Sequence, residues 1–218
     1  MLNKDLFVFG DSWAWGSELG QPEKERFSFL LSKELNLTEK NYGFPDSSLF
    51  EINYKVLTKA PVNSFVIVII PPDSRISTIK DGYAFCSVDR DSEFYKIFSK
   101  NNELDYFKWN HNLLIDSICH NLAVNKNKFL LIKNYGKVNL LPFNEKWKHN
   151  ILPNSLHSIL NAVKPNFPGS SNIFRDWGGP ESNDFSGKYF EGCLFHPNVL
   201  GHQKIAEIVR EEIHKTWT

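Results

Sequence analysis

Two short segments near opposite ends of the chain hold the residue types best suited to covalent chemistry. Gly10-Asp11-Ser12 follows the apolar run Leu6-Phe7-Val8-Phe9, and His196-Pro197-Asn198 with Gly201-His202 precedes a terminal helical pattern. A serine hydroxyl is a weak nucleophile at neutral pH and needs an adjacent base to take its proton; histidine titrates in the right range. Ser12 and His196 are far apart in sequence, which is no obstacle, because catalytic groups meet in space. Attack on an acyl carbonyl would also need donors aimed at the developing oxyanion, each worth about 10²–10³ in rate. The remaining histidines, His111, His120, His149, His157 and His214, show no metal-ligand spacing, and His202 reads as a structural residue at a helix start. Cys86, Cys119 and Cys193 are dispersed, odd in number and form no CxxC pair. A zinc ribbon, a redox dithiol and a disulfide framework therefore have no support, and the thiols read as buried or idle.

The elements that must position these residues alternate in period. Leu6–Phe9, Phe65–Ile70 and Phe129–Ile132 are short, continuous apolar runs, as strands buried on both faces would be. Between them, apolar residues recur at helical spacing: Phe27, Leu30, Leu31 and Leu35; Leu49, Ile52, Val56 and Leu57 behind a Ser48/Glu51 capping box; and Leu114, Ile118 and Leu122. Leu156, Ile159, Leu160 and Val163 predict a short helix after Ser155, and Ile205, Val209 and Ile213 a last one ending near Trp217. This rhythm predicts a parallel sheet covered on both faces. Ligands in such sheets bind beyond the carboxyl ends of the strands. That rim would collect Gly10-Asp11-Ser12, Asn41-Tyr42-Gly43, Pro71-Pro72-Asp73-Ser74-Arg75 and the histidine segment. Two stretches break the rhythm. Asp73–Asn110 is rich in aromatics and reads as a lid or a small packed subdomain, and Pro165–Phe195 is rich in Gly, Pro, Ser and Asn.

Composition narrows the function classes. The chain has 218 residues, 41% hydrophobic, including 18 Phe, enough to fill a core. Its 25 basic and 25 acidic residues cancel, which argues against broad electrostatic capture of nucleic acid or anionic lipid. The four-residue apolar run after the N-terminus is too short for a secretory signal, and no run approaches a membrane span. The expectation is a soluble cytoplasmic protein, one domain over residues 1–218, with no nucleic-acid or membrane partner and its oligomeric state left open.

Phe9-Gly10-Asp11-Ser12 at a strand end, with His196-Pro197-Asn198-x-x-Gly201-His202 before a terminal helix, resembles the SGNH/GDSL hydrolase family over nearly the whole chain. The resemblance implies a flavodoxin-like three-layer α/β/α sandwich around a central parallel sheet. It implies Ser12 as nucleophile, His196 as general base, and the backbone N–H groups of Ser12 and Gly43 in the oxyanion hole, with no metal or cofactor. The reaction would be hydrolysis of a carboxylic ester of a small molecule or a glycan through an acyl-enzyme. Arg75 and Trp13 are placed at the substrate.

Two positions depart from the family pattern. Cys193 stands three residues before His196, where the family commonly has an Asp, so a Ser–His dyad is the direct reading. A main-chain carbonyl, Glu191 or Asp184 is left to orient the ring. Asp73 lies where an Asn usually completes the oxyanion hole, and Ser74 or the backbone is left to contribute there. The competing reading is a catalytically impaired binding or structural module on the same fold. A mononucleotide-binding protein is disfavoured because the Gly10-Asp11-Ser12-Trp13 turn lacks a phosphate-cradling glycine pattern.

Overall fold

Strands made of uninterrupted apolar residues are stable only if both of their faces are covered, and the chain satisfies this by winding helices to either side. In the computed structural model, described for residues 3–17, 19–71, 76–80, 84–88, 104–134, 140–162, 190–191 and 196–217, the first half runs β1 (Asp5–Phe9), α1 (Ser12–Trp15), α2 (Pro22–Glu25), α3 (Phe27–Glu34), β2 (Thr38–Asn41), α4 (Leu49–Lys59) and β3 (Phe65–Ile70). Then come β4 (Ile76–Lys80), β5 (Ala84–Val88), α5 (Leu104–Val124), β6 (Lys128–Lys133) and a 3-10 helix (Pro142–Asn150). The last elements are α6 (Leu156–Ala162), β7 (Phe190–Glu191), β8 (His196–Pro197) and α7 (Val199–Trp217).

The main sheet has the order β2-β1-β3-β6, with every pair parallel. From β1 the chain moves outward to β2, then crosses back to the other side of β1 to lay down β3 and β6. The order thus reverses at β1/β3, and the crevice beyond their carboxyl ends is where doubly wound folds bind ligands.

Side-chain alternation divides the core in two. Leu6, Val8, Ile67, Ile69, Leu130 and Ile132 face α3, α6 and α7, whose Phe27, Leu31, Leu156, Leu160, Ile205, Val209 and Ile213 complete that layer. Phe7, Phe9, Val66, Val68, Ile70, Phe129 and Leu131 face α4 and α5, with Leu49, Ile52, Val56, Ile115, Ile118 and Leu122. This is a three-layer α/β/α sandwich, as expected. Ser48 Oγ accepts from the Glu51 N–H at 3.2 Å, as its capping-box signal predicts, and at the start of α7 Asn198 Oδ1 accepts from the Gly201 N–H at 3.0 Å.

Several features were not anticipated. Thr38-Glu39-Lys40-Asn41 forms β2 although it has no apolar residue, because it lies half-exposed at an end of the sheet, held by its ladder to β1 and by the ion pairs of Glu39 and Lys40 and not by core packing. Within Asp73–Asn110, β4 and β5 form an antiparallel hairpin pairing Ile76 with Val88, and α5 begins at Leu104, well before its first anticipated apolar position. The 3-10 helix is another, as are the short elements α1, α2, β7 and β8. The rest of Asp73–Asn110 and most of Pro165–Phe195, with the lid reading attached to the first, lie outside the described residues. Among the described residues no helix is long and apolar enough to cross a membrane.

Candidate active site

The turn after β1 is built around close approach. A Cβ on Gly10 would lie 2.7 Å from both Ala14 Cβ and Ile69 Cβ, so only glycine lets the chain turn tightly over β3. Asp11 then caps α1: its Oδ1 accepts from the Trp13 N–H at 3.1 Å, and its carbonyl accepts from the Ala14 and Trp15 N–H groups, each at 3.0 Å. Gly16, at φ 86°, ends this single turn and donates its N–H to Ser12 O at 3.0 Å. Ser12 thereby occupies the first helical position, where a backbone N–H has no intrahelical partner. Its amide has no hydrogen-bond partner among the described residues.

His196 arrives from the far end of the chain on β8, held antiparallel to β7 with Glu191 opposite it. Its Nε2 lies 2.8 Å from Ser12 Oγ, and both residues are buried. For Nε2 to accept the serine proton, the neutral ring must carry its own proton on Nδ1.

A second group of residues holds this pair. Asn134, directly after β6, donates from Nδ2 to Asp11 Oδ2 at 2.7 Å, so the capping carboxylate is tied to a third strand end. Asn41, at the end of β2, donates from Nδ2 to Ala14 O at 2.8 Å and to Ser28 Oγ at 2.9 Å, while its Oδ1 accepts from the Gly43 N–H at 2.8 Å. Ser28 Oγ in turn donates to Glu39, whose carboxylate takes a bidentate pair of hydrogen bonds from Arg26, both at 2.8 Å. His202 is fully buried and stacks on Phe27, and its Nδ1 accepts from the Phe27 N–H at 3.2 Å. That bond leaves the ring proton of the neutral form on Nε2. Burial first, and then the proximity of His196 and Arg26, pushes the His202 pKa down to about 3, so it is a neutral structural residue.

The anticipated site residues fare differently. Ser12 and His196 are brought into contact. Gly43 lies against α1, where a Cβ would meet Trp15 N at 2.7 Å, but its amide, expected in an oxyanion hole, is directed at Asn41 Oδ1. Trp13, expected at the substrate, is a core residue: it is 1% exposed and packs among Leu6, Phe27 and Ile205. The reason is helical geometry, since one turn of α1 that presents Ser12 to the rim sends the next side chain down onto the sheet. Trp15, two positions on, is the exposed tryptophan of this turn. Arg75, Asp73, Ser74, Cys193 and Asp184 lie outside the described residues. Asn41 and Asn134 were not singled out as side chains of the site. The signal available was position: Asn41 at the end of β2, within the Asn41-Tyr42-Gly43 turn, and Asn134 immediately beyond the apolar strand β6.

The sheet is thus parallel and doubly wound, and the buried serine–histidine contact sits beyond the carboxyl ends of its strands. No protein-family model matches the sequence, and no curated protein sequence matches it. Solved structures do. A member of the lipolytic protein G-D-S-L family from Veillonella parvula superposes with a TM-score of 0.51 at 14% identity, covering 95% of this chain and 96% of that one. A catalytic mutant of Axe2, an acetylxylan esterase from Geobacillus stearothermophilus, gives 0.53 at 15% identity over 98% and 95% of the two chains. A two-domain esterase active on acetylated mannans gives 0.54 at 15% identity, with 97% of this chain matching 49% of that one. The chain therefore has the fold of the GDSL/SGNH lipolytic proteins and esterases, the one expected from its motifs.

Proposed function

We propose that the protein is a serine hydrolase acting on carboxylic esters, with Ser12 and His196 as its catalytic dyad. The observation that carries this reading is the buried 2.8 Å contact between Ser12 Oγ and His196 Nε2, at the strand ends where this fold binds ligands. As Oγ attacks the acyl carbonyl, His196 Nε2 takes the hydroxyl proton. The oxyanion that forms faces the first turn of α1, whose Ser12 N–H, without a partner among the described residues, is the donor on which this reading relies. Collapse of the tetrahedral intermediate expels the alcohol, which leaves with the proton from His196, and the acyl group stays on Ser12. Water then attacks the acyl-enzyme with His196 again as base, and the acid is released. Every proton is carried by these two side chains, so the sequence of steps calls for no metal or organic cofactor.

The substrate class is a small-molecule or glycan ester. Two of the structures with this fold are described as acting on acetylated polysaccharides, which makes acetylated xylan and mannan the first polymers to try. Hydrolysis of an aryl acetate and release of acetate from acetylxylan would be measured for the wild type, Ser12→Ala and His196→Ala. Each variant is expected to lose about 10³-fold or more in kcat/KM. A wild type no faster than Ser12→Ala on either substrate would sink the hydrolase reading.

A further inference from the structure

Ser12 and His196 belong to elements at opposite ends of the chain, and each must be held to a fraction of an ångström for proton transfer. Both elements are tied to the same three residues, the N-cap and first two positions of α3. Arg26, the N-cap residue, makes no side-chain cap of its own and instead clamps Glu39 of β2 through both carboxylate oxygens. The buried Phe27 N–H, one of the donors that a helix start leaves without an intrahelical partner, is capped from outside by His202 Nδ1 of α7. Ser28 Oγ joins Glu39 to Asn41 Nδ2, which reaches the α1 backbone at Ala14 O. One arm thus ends on the helix that carries Ser12. The other ends on the helix that begins three residues after His196.

We infer that the first turn of α3 is a bracket that sets the Ser12–His196 separation, with Asn41 and His202 as positioning residues on its two arms. This rests on the hydrolase reading above. Asn41 suits its place because it uses both amide hydrogens and its oxygen. An Asp there would lose both donors and bring a second carboxylate beside Glu39, and an Ala would also release the Gly43 amide. On the other arm His202 suits its place because a neutral ring offers an acceptor at Nδ1 together with a flat face for Phe27.

The test uses Asn41→Ala, His202→Phe, which keeps the stacked ring but not the acceptor, and His202→Asn, which puts an oxygen where Nδ1 stood. Val56→Ala, in the core layer on the other side of the sheet, serves as the control for stability loss alone. Thermal midpoint, kcat, KM and the rate of fluorophosphonate labelling would be measured well below every midpoint. Asn41→Ala and His202→Phe are expected to lower kcat and labelling by about 10- to 100-fold with KM within about twofold, while His202→Asn recovers most of the loss. Val56→Ala should lose stability and keep its kcat. If Asn41→Ala and His202→Phe behave as Val56→Ala does, or if only one arm affects kcat, the bracket is wrong and the hydrolase reading stands. A wild type that takes no label removes both.

Discussion

Gly43→Ala is the sharpest single perturbation of the frame around Ser12. An added Cβ would sit 2.7 Å from Trp15 N, 2.8 Å from Ala14 Cβ and 2.9 Å from Ala14 C, against ordinary contacts of 3.4–4 Å. Two of those three atoms are backbone and the third is a Cβ, so no flexible side chain can swing aside. Either α1 or the strand-end loop must retreat by about 0.5–1 Å, which for overpacking in a closed site costs about 1–3 kcal/mol. For a chain of this length each kcal/mol lowers the melting midpoint by about 2–4 °C. Because α1 carries Ser12, the same displacement is expected to slow fluorophosphonate labelling by about tenfold or more. Gly20→Ala is the internal control. The nearest atom to a Cβ there is Glu25 Oε2 at 4.0 Å, and the residue is not in the left-handed region. It should be neutral or stabilise by about 0.4–1 kcal/mol through the unfolded chain. Urea unfolding of both variants, with labelling rates measured on the same samples, decides the matter. A Gly43→Ala protein within about 0.5 kcal/mol of wild type and labelled at the wild-type rate would refute the close-approach reasoning.

Other perturbations have equally defined outcomes. Asp11→Ala removes the α1 cap and the acceptor of Asn134 Nδ2, so it should cost about 2 kcal/mol or more in urea unfolding and slow labelling at Ser12; an unchanged midpoint would show that neither bond matters. His202 gives a pH signature whose sign is fixed. Its folded pKa is depressed to about 3 while the unfolded chain titrates near 6.5, so the unfolded state binds the extra proton between these values. Stability is therefore unaffected by this group above pH ~6.5 and falls, by on the order of 1 kcal/mol per pH unit, as pH drops towards 3. Replacement by Asn should flatten that part of the profile, and an unaltered slope would contradict it. Cys119 is buried, and its thiol pKa is raised by burial first and by Asp116 second. Peptide mapping after iodoacetamide treatment of the native protein should find it unmodified, and rapid alkylation would mean that α5 opens readily.

What could be read from the sequence follows from where the physical information lies. β1, β3 and β6 announced themselves because strands covered on both faces must be apolar at every position. β2 did not, because an edge strand of Thr, Glu, Lys and Asn is stabilised by one ladder and by the Arg26–Glu39 and Lys40–Asp5 ion pairs, not by burial. The Ser12–His196 pair was legible as residue types at strand and helix boundaries, since a serine after an apolar strand and a histidine before a final helix share one rim. Their supports were not. The Asn134–Asp11 bond spans 123 residues and the His202–Phe27 bond 175, and nothing local marks either partner. Trp13 misled for a related reason: adjacency to Ser12 in sequence places it near the site, whereas the helix turn sends it into the core.

The central claim is that Ser12 is a nucleophile activated by His196, and an adduct on the serine tests it most directly. The wild type, Ser12→Ala and His196→Ala would be incubated with a fluorophosphonate, then weighed intact and mapped by peptide mass spectrometry. A single phosphonyl adduct on Ser12 is expected in the wild type, with none in Ser12→Ala and labelling slowed by about 10³-fold or more in His196→Ala. An unmodified wild type, or an adduct that persists in Ser12→Ala, would contradict it.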